Sequence, residues 1–254
     1  MNPWRLQELR LKHTHRTKFA VAVLPVGSTE SHGYHLPYGS DAFHSSAIAD
    51  RICSAAWERG AKVLLLPLIP YGVQGNTMGF PLTLDVRQSV LDSLVTDIVR
   101  SLEFHGIRKL LIVNGHGGND FKPLLRSLYG NTKVFISLVD WWKVGNDKMK
   151  DIFEIGGEHA DELETSVDLV FVGDLVDQGS AGSGSTRRSR FEAINKGWVS
   201  IARPWHLFTK DSTAGDPRKA TKDKGEIYVE LVVRRLSDYV VQLAKSKMDP
   251  KFPY

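Results

Sequence analysis

The stretch "FAVAVLPVGSTESHGYHLPYGSD", residues 19–41, runs from an apolar, β-branched segment through a glycine- and proline-rich loop to an aspartate. Residues 19–27 read as a buried strand. From Asp41 onward, "DAFHSSAIADRICSAAWERG" has helical spacing and ends on Gly60, a residue suited to a helix stop. Strand, polar loop, helix is therefore the local unit, and it recurs. Apolar runs at 62–72 ("KVLLLPLIPYG"), 109–117 ("KLLIVNGHG") and 133–142 ("KVFISLVDWW") read as three more strands. Residues 84–105, with Val86, Val90, Leu94, Ile98 and Leu102 at spacing four, and "NDFKPLLRSLYG" read as helices.

Strands alternating with helices imply right-handed crossovers and a mostly parallel sheet covered on both faces, a three-layer α/β/α sandwich. The 254 residues suit a single domain, 1–254, with neither a repeat nor a clear boundary. The last third is less regular. "QGSAGSGSTRRSR" reads as a loop, "KGWVSIARPWHLFT" as a hairpin, and the segment from Thr213 as a turn leading into a long C-terminal helix.

Composition excludes several classes. Hydrophobic residues make up 42% and charged residues 24%, which is ordinary for a globular chain. No run of eighteen apolar residues occurs and the N-terminal stretch is polar, so neither a membrane span nor a signal peptide is expected, and a cytoplasmic location is. The net charge of +4 calls for no nucleic-acid partner. Arg187, Arg188 and Arg190 read as a solvated loop, with contact to an anionic substrate group or a partner chain as the lesser reading. Cys53, the single cysteine, reads as a small buried hydrophobe.

In a parallel sheet the ligand site lies beyond the carboxyl ends of the strands. Glu30 and His32 follow the first strand, two apart and so on one face of an extended segment. Asp41 opens the next helix and has two oxygens with which to bridge ions. His116 follows the third strand among Gly115, Gly117 and Gly118. Carboxylates and imidazoles without thiolates suit zinc, manganese or iron(II). A metal there would polarise a carbonyl and acidify water, chemistry that serves hydrolysis of amides or of phosphate esters.

"LPVGSTESHGYHLPYGSD", "VNGHGGN" and "HADELETS" together resemble the creatininase (creatinine amidohydrolase) family, and "GDPRKATKDKG" resembles its C-terminal signature. The resemblance implies two divalent ions (Zn, Mn or Fe), with Asp41 bridging, Glu30 and His116 on one ion and His32 on the other. It also implies His159 as proton shuttle with Glu158 beside it, a small-molecule amide substrate attacked by a metal-bound hydroxide, and a homo-oligomer, a hexamer in the family. That family carries a glutamate two residues past the third-strand histidine, where this chain has Gly118; Glu164 is the candidate replacement, or else a structural carboxylate at a helix start. Trp141, Trp142 and Asn114 are the expected substrate contacts. Asp140 is a further candidate partner for a ligating histidine. Formamide hydrolases acting on pyrimidine precursors and precursor-peptide peptidases share the "HGGN" form, so they stand beside creatinine hydrolysis. A binding protein without turnover is the competing class.

Overall fold

The computed structural model describes residues 1–254. In chain order the elements that frame the site are β1 (Val21–Val26), α1 (Ser40–Glu58), β2 (Val63–Leu65), α2 (Gln88–Phe104), β3 (Lys109–Asn114), α3 (Lys122–Leu128), β4 (Phe135–Asp140), α4 (Glu162–Phe171) and α5 (Lys222–Lys245). The four strands form one parallel sheet in the order β2-β1-β3-β4.

Side-chain alternation along β1 explains the three layers. Val21 and Val23 point into a cluster with Ile48 and Ile52 of α1, Leu163 and Val167 of α4, and Val229 and Val232 of α5. Ala22, Leu24 and Val26 point the other way, into Leu91, Val95 and Val99 of α2 and Leu124 of α3. The strand is buried on both faces and so is apolar throughout.

The stripe that seats α2 differs from the expected one. Val90 and Leu94 are exposed, and Leu91, Val95, Val99 and Leu102 are buried. A strict spacing of four advances about 40° per step around a helix, so such a series drifts off the core; steps of four, four and three hold one face. The second strand is also shorter than its apolar run, because Pro67 and Pro70 interrupt the run beyond Leu65. The expected hairpin at 196–209 is absent: residues 196–204 carry no strand, and Trp205–Phe208 is a single helical turn.

The strand order fixes the site. From β1 the chain moves to β2 on one side and then crosses to β3 on the other. The loops after β1 and β3 therefore diverge to opposite layers and leave a crevice between them. Gly27 lets α1 start against the end of β1, since a Cβ there would lie 2.6 Å from the backbone of Ala42. No helix is long and apolar enough to cross a membrane.

Candidate metal centre

The loop after β1 delivers Glu30 and His32, the first turn of α1 delivers Asp41, and the loop after β3 delivers His116; all four are buried. His116 Nδ1 lies 2.9 Å from Glu30 Oε1 and 3.0 Å from Asp41 Oδ2. The other Asp41 oxygen, Oδ1, lies 3.2 Å from His32 Nε2. Glu164, in the first turn of α4, brings Oε2 to 4.0 Å from the same His32 atom. Two triads result, Glu30–Asp41–His116 and His32–Asp41–Glu164, each with donor atoms within 4.8 Å of one another, and they share Asp41. A third grouping, Glu30–His32–His159, meets the same distance.

The remaining polar atoms of these side chains have protein partners. Thr77 Oγ1 donates to Glu30 Oε2 at 2.6 Å, and Ser28 Oγ to Asp41 Oδ2 at 2.6 Å. His32 Nδ1 lies 3.1 Å from the Glu30 carbonyl and His116 Nε2 lies 3.0 Å from the Val73 carbonyl. Each ring thus donates one N–H to a carbonyl and turns its other nitrogen toward the carboxylates; a cation that displaces the proton there leaves the tautomer fixed by the carbonyl.

Electrostatics agree with a cation site. Burial lowers the imidazoles, but Asp41 and Glu30 outweigh it and raise both His32 and His116. Burial raises the carboxyls of Glu30 and Asp41, yet the facing histidines hold both below their usual range. Three buried or nearly buried acids so close together need positive charge, and hard oxygen donors mixed with imidazole match zinc, manganese or iron(II). The residues present therefore fit two divalent ions.

Gly118 has a steric explanation. A Cβ at this position would lie 2.1 Å from the Val73 carbonyl oxygen and 2.4 Å from His116 Nε2. Glu164 reaches the cluster from α4. Its Oε2 accepts the Ala160 N–H at 2.5 Å, and Ala160 has a left-handed φ of 48°. Asp161 caps the helix by accepting the Glu164 N–H at 3.0 Å.

His159 stands over the second triad, its ring 4.2 Å from that of His32. Its Nε2 donates to the Ser31 carbonyl at 2.9 Å and Nδ1 lies 3.9 Å from Glu164 Oε2. Trp205 covers its edge at 5.1 Å. The cleft above holds about 370 Å³ and is lined by Glu30, Asp41, His116, His159, Glu164, Trp142 and Arg203, among others.

Four expected residues are placed differently from the sequence reading. Trp141 is fully buried against Tyr228 and His44 and lines no part of the cleft, because β4 ends directly into a helical turn that rolls it under the sheet edge; Trp142 alone faces the cleft. Asn114 is buried too. It donates to the His116 carbonyl and to Asp140 and accepts the His116 N–H, so it shapes the His116 loop instead of reaching substrate. Asp140 reaches His116 only through Asn114. Glu158 sits on the exposed rim, paired with Arg203 at 2.7 Å. Sequence reasoning gave no role to Thr77, Ser28, Asp161, Arg203 or Trp205. Of these only Asp161 carried a local signal, the Asp-x-x-Glu pattern of a capped helix.

The fold and the donor set define a three-layer α/β protein with a buried carboxylate–imidazole cluster, of a composition that can hold metal ions, at the switch point of its sheet. The family profile "Creatininase: Creatinine amidohydrolase" matches residues 7–240, and the chain belongs to the creatininase family. A Mycobacterium ulcerans mycofactocin precursor peptide peptidase is 30% identical over 83% of this chain and 80% of its own. A solved Bacteroides fragilis protein, provisionally called a creatinine amidohydrolase, is 33% identical with a TM-score of 0.91 over 98% of this chain and all of its own. A creatininase variant in a Zn–Zn form is 25% identical with a TM-score of 0.79 over 97% of this chain and all of its own.

Proposed function

We propose that the chain is a metal-dependent hydrolase of amide-type C–N bonds in a small molecule, with two divalent ions (Zn, Mn or Fe) as cofactors. The observation that carries this is the pair of triads sharing Asp41, with the two oxygens turned to opposite sides. Glu30, Asp41 and His116 would hold one ion, and His32, Asp41 and Glu164 the other. When bound, the ions supply Lewis acidity that polarises a carbonyl and lowers the pKa of water.

The chain's own groups do the rest. His159, fixed by the Ser31 carbonyl through Nε2, keeps Nδ1 on the cleft side to take a proton and pass it to the leaving nitrogen. Trp142 and Trp205 wall the cleft and exclude water from one side, while Glu158 and Arg203 close its rim. Gly118 sets the chain apart from creatininases, since the position that carries a glutamate there is sealed here by Val73 and His116. A formamide hydrolase of a pyrimidine precursor and a precursor-peptide peptidase are the alternatives within the same chemistry. A homo-oligomer is expected from the family resemblance.

Metal analysis with a substrate panel tests this. Purified chain should carry two ions, Asp41→Ala should lose both, and Glu164→Gln should lose one. Creatinine, formamides, formamidopyrimidines and short peptides, assayed with each metal restored, give the substrate. Fewer than one tight ion per chain, with no effect of Asp41→Ala, would sink the hydrolase reading in favour of a binding protein.

A further inference from the structure

Two histidines that are not among the proposed ligands support the metal centre from below in the same way. His35 lies three residues past His32, and its Nε2 is 2.9 Å from Thr165 Oγ1. His44 lies three residues past Asp41, and its Nε2 is 2.9 Å from Asp168 Oδ1. All four side chains are buried. Thr165 and Asp168 follow Glu164 on α4, one and four residues on.

The His44–Asp168 contact is close but not aligned as a hydrogen bond, so charge attraction links the two. Burial lowers the His44 pKa and Asp168 more than restores it, leaving it raised. Ser40 Oγ donates to the second Asp168 oxygen at 2.5 Å, and the Trp141 ring closes the far side of His44 at 5.3 Å. A buried pair of this kind is a poor stabiliser, since taking two charges out of water costs about as much as their attraction returns. Its place in the fold points to another role. It ties α1, one turn past Asp41, to α4, one turn past Glu164.

We propose that the His44–Asp168 pair, with the His35–Thr165 bond beside it, is a positioning device that sets the spacing of Asp41 and Glu164 and so the affinity of the second cation triad alone. The proposal rests on the two-ion reading above. The first triad has other anchors: Thr77 on Glu30, Ser28 on Asp41 and the Val73 carbonyl on His116. None of these lies on α4. When the tie is cut, Asp41 stays with the β1 loop and Glu164 is the member that moves.

The test is a stepwise Zn²⁺ titration of metal-free protein against a chromophoric chelator, for the parent, Asp168→Asn and Thr165→Val. Asp168→Asn keeps shape and an acceptor for Ser40 while removing the charge; Thr165→Val keeps shape while removing the hydroxyl. The second binding step should weaken about tenfold or more, and the first should stay within about twofold. Equal weakening of both steps, or no change in either, overturns the proposal. If Asp168→Asn fails to fold, Thr165→Val decides by the same two outcomes. A parent that takes up fewer than two ions overturns the two-ion reading and this proposal with it; two ions in the parent with unchanged steps in the variants overturn this proposal alone.

Discussion

Restoring the family's glutamate at position 118 is the obvious way to try to strengthen the second metal site, and the structure says it will fail. The atom that does the damage is Cβ, not the carboxylate: it would sit 2.1 Å from the Val73 carbonyl oxygen and 2.4 Å from His116 Nε2. The backbone cannot turn aside as a side-chain tip would. The same space holds the 3.0 Å bond between His116 Nε2 and Val73, which orients a ligand of the first triad. Overpacking of this kind costs about 1–3 kcal/mol, and loss of the buried hydrogen bond about 1 kcal/mol more. For a chain of this length each kcal/mol is worth about 2–4 °C, so Gly118→Glu should melt roughly 5–15 °C below the parent. Gly118→Ala introduces the same atom and should cost nearly as much. Gly117→Ala is the control: nothing lies within 4 Å of its Cβ, so its cost should stay within about 0.5 kcal/mol. Thermal melts of the metal-free proteins, with ion stoichiometry alongside, read all three. A Gly118→Glu protein that melts with the parent and binds the second ion more tightly would refute the steric argument.

The two tryptophans separate core from cleft: Trp141→Ala should lose about 3–5 kcal/mol in urea unfolding, whereas Trp142→Ala should keep its stability and change KM. His159→Asn should lower kcat by about 10²–10⁴ with both ions retained; loss of an ion in this variant would instead place His159 among the ligands, as the third donor grouping allows. Asp50 tests the N-terminal arm, accepting from Arg5 Nε and Nη2 at 2.6 Å and Trp4 Nε1 at 2.8 Å. Burial raises this carboxyl, but Arg5 and Trp4 outweigh it and the net shift is downward. A lowered folded-state pKa contributes stability that is present above the unfolded value of about 3.9 and is lost as pH falls through the folded one. Urea unfolding should therefore show Asp50→Asn less stable than the parent at pH 7, with the gap closing below about pH 4; a gap independent of pH would contradict this.

Much of the layered fold was readable because β1, β3 and β4 are continuous apolar runs bounded by glycine and polar turns. The donors after β1 and β3 were readable because they cluster within a few residues of a strand end. The errors have local causes. Trp141 and Trp142 are adjacent and chemically equal in sequence, and only the helical turn after β4 decides which is core. Asn114 looked like a cleft residue because it ends a strand at the active edge, but the β3–β4 register pairs it with Asp140 and closes it inside the His116 loop. Thr77, Arg203 and Trp205 come from irregular segments with no period to read. His35 and His44 gave no signal because their partners, Thr165 and Asp168, lie more than a hundred residues away.

On the proposed two-ion reading, Glu164 in place of a strand-end glutamate changes what the second site depends on. A carboxylate two residues past His116 would share the β3 loop with it, and both would move as one body. Glu164 instead occupies the first turn of α4, where the helix dipole favours negative charge and the Ala160 N–H adds a bond of 2.5 Å. Ala160 takes up that geometry at a φ of 48°, a conformation costing about 1 kcal/mol for a residue other than glycine. Strain of that kind persists only where the surroundings over-determine it. Here Asp161 caps the helix from within, the buried Glu162 is held by Lys224 at 2.6 Å from α5, and the His44–Asp168 pair fixes the far side. Lys224 belongs to the "GDPRKATKDKG" segment, so the C-terminal signature bears on the metal centre without touching it. It holds α4 at the one end from which a carboxylate can reach His32.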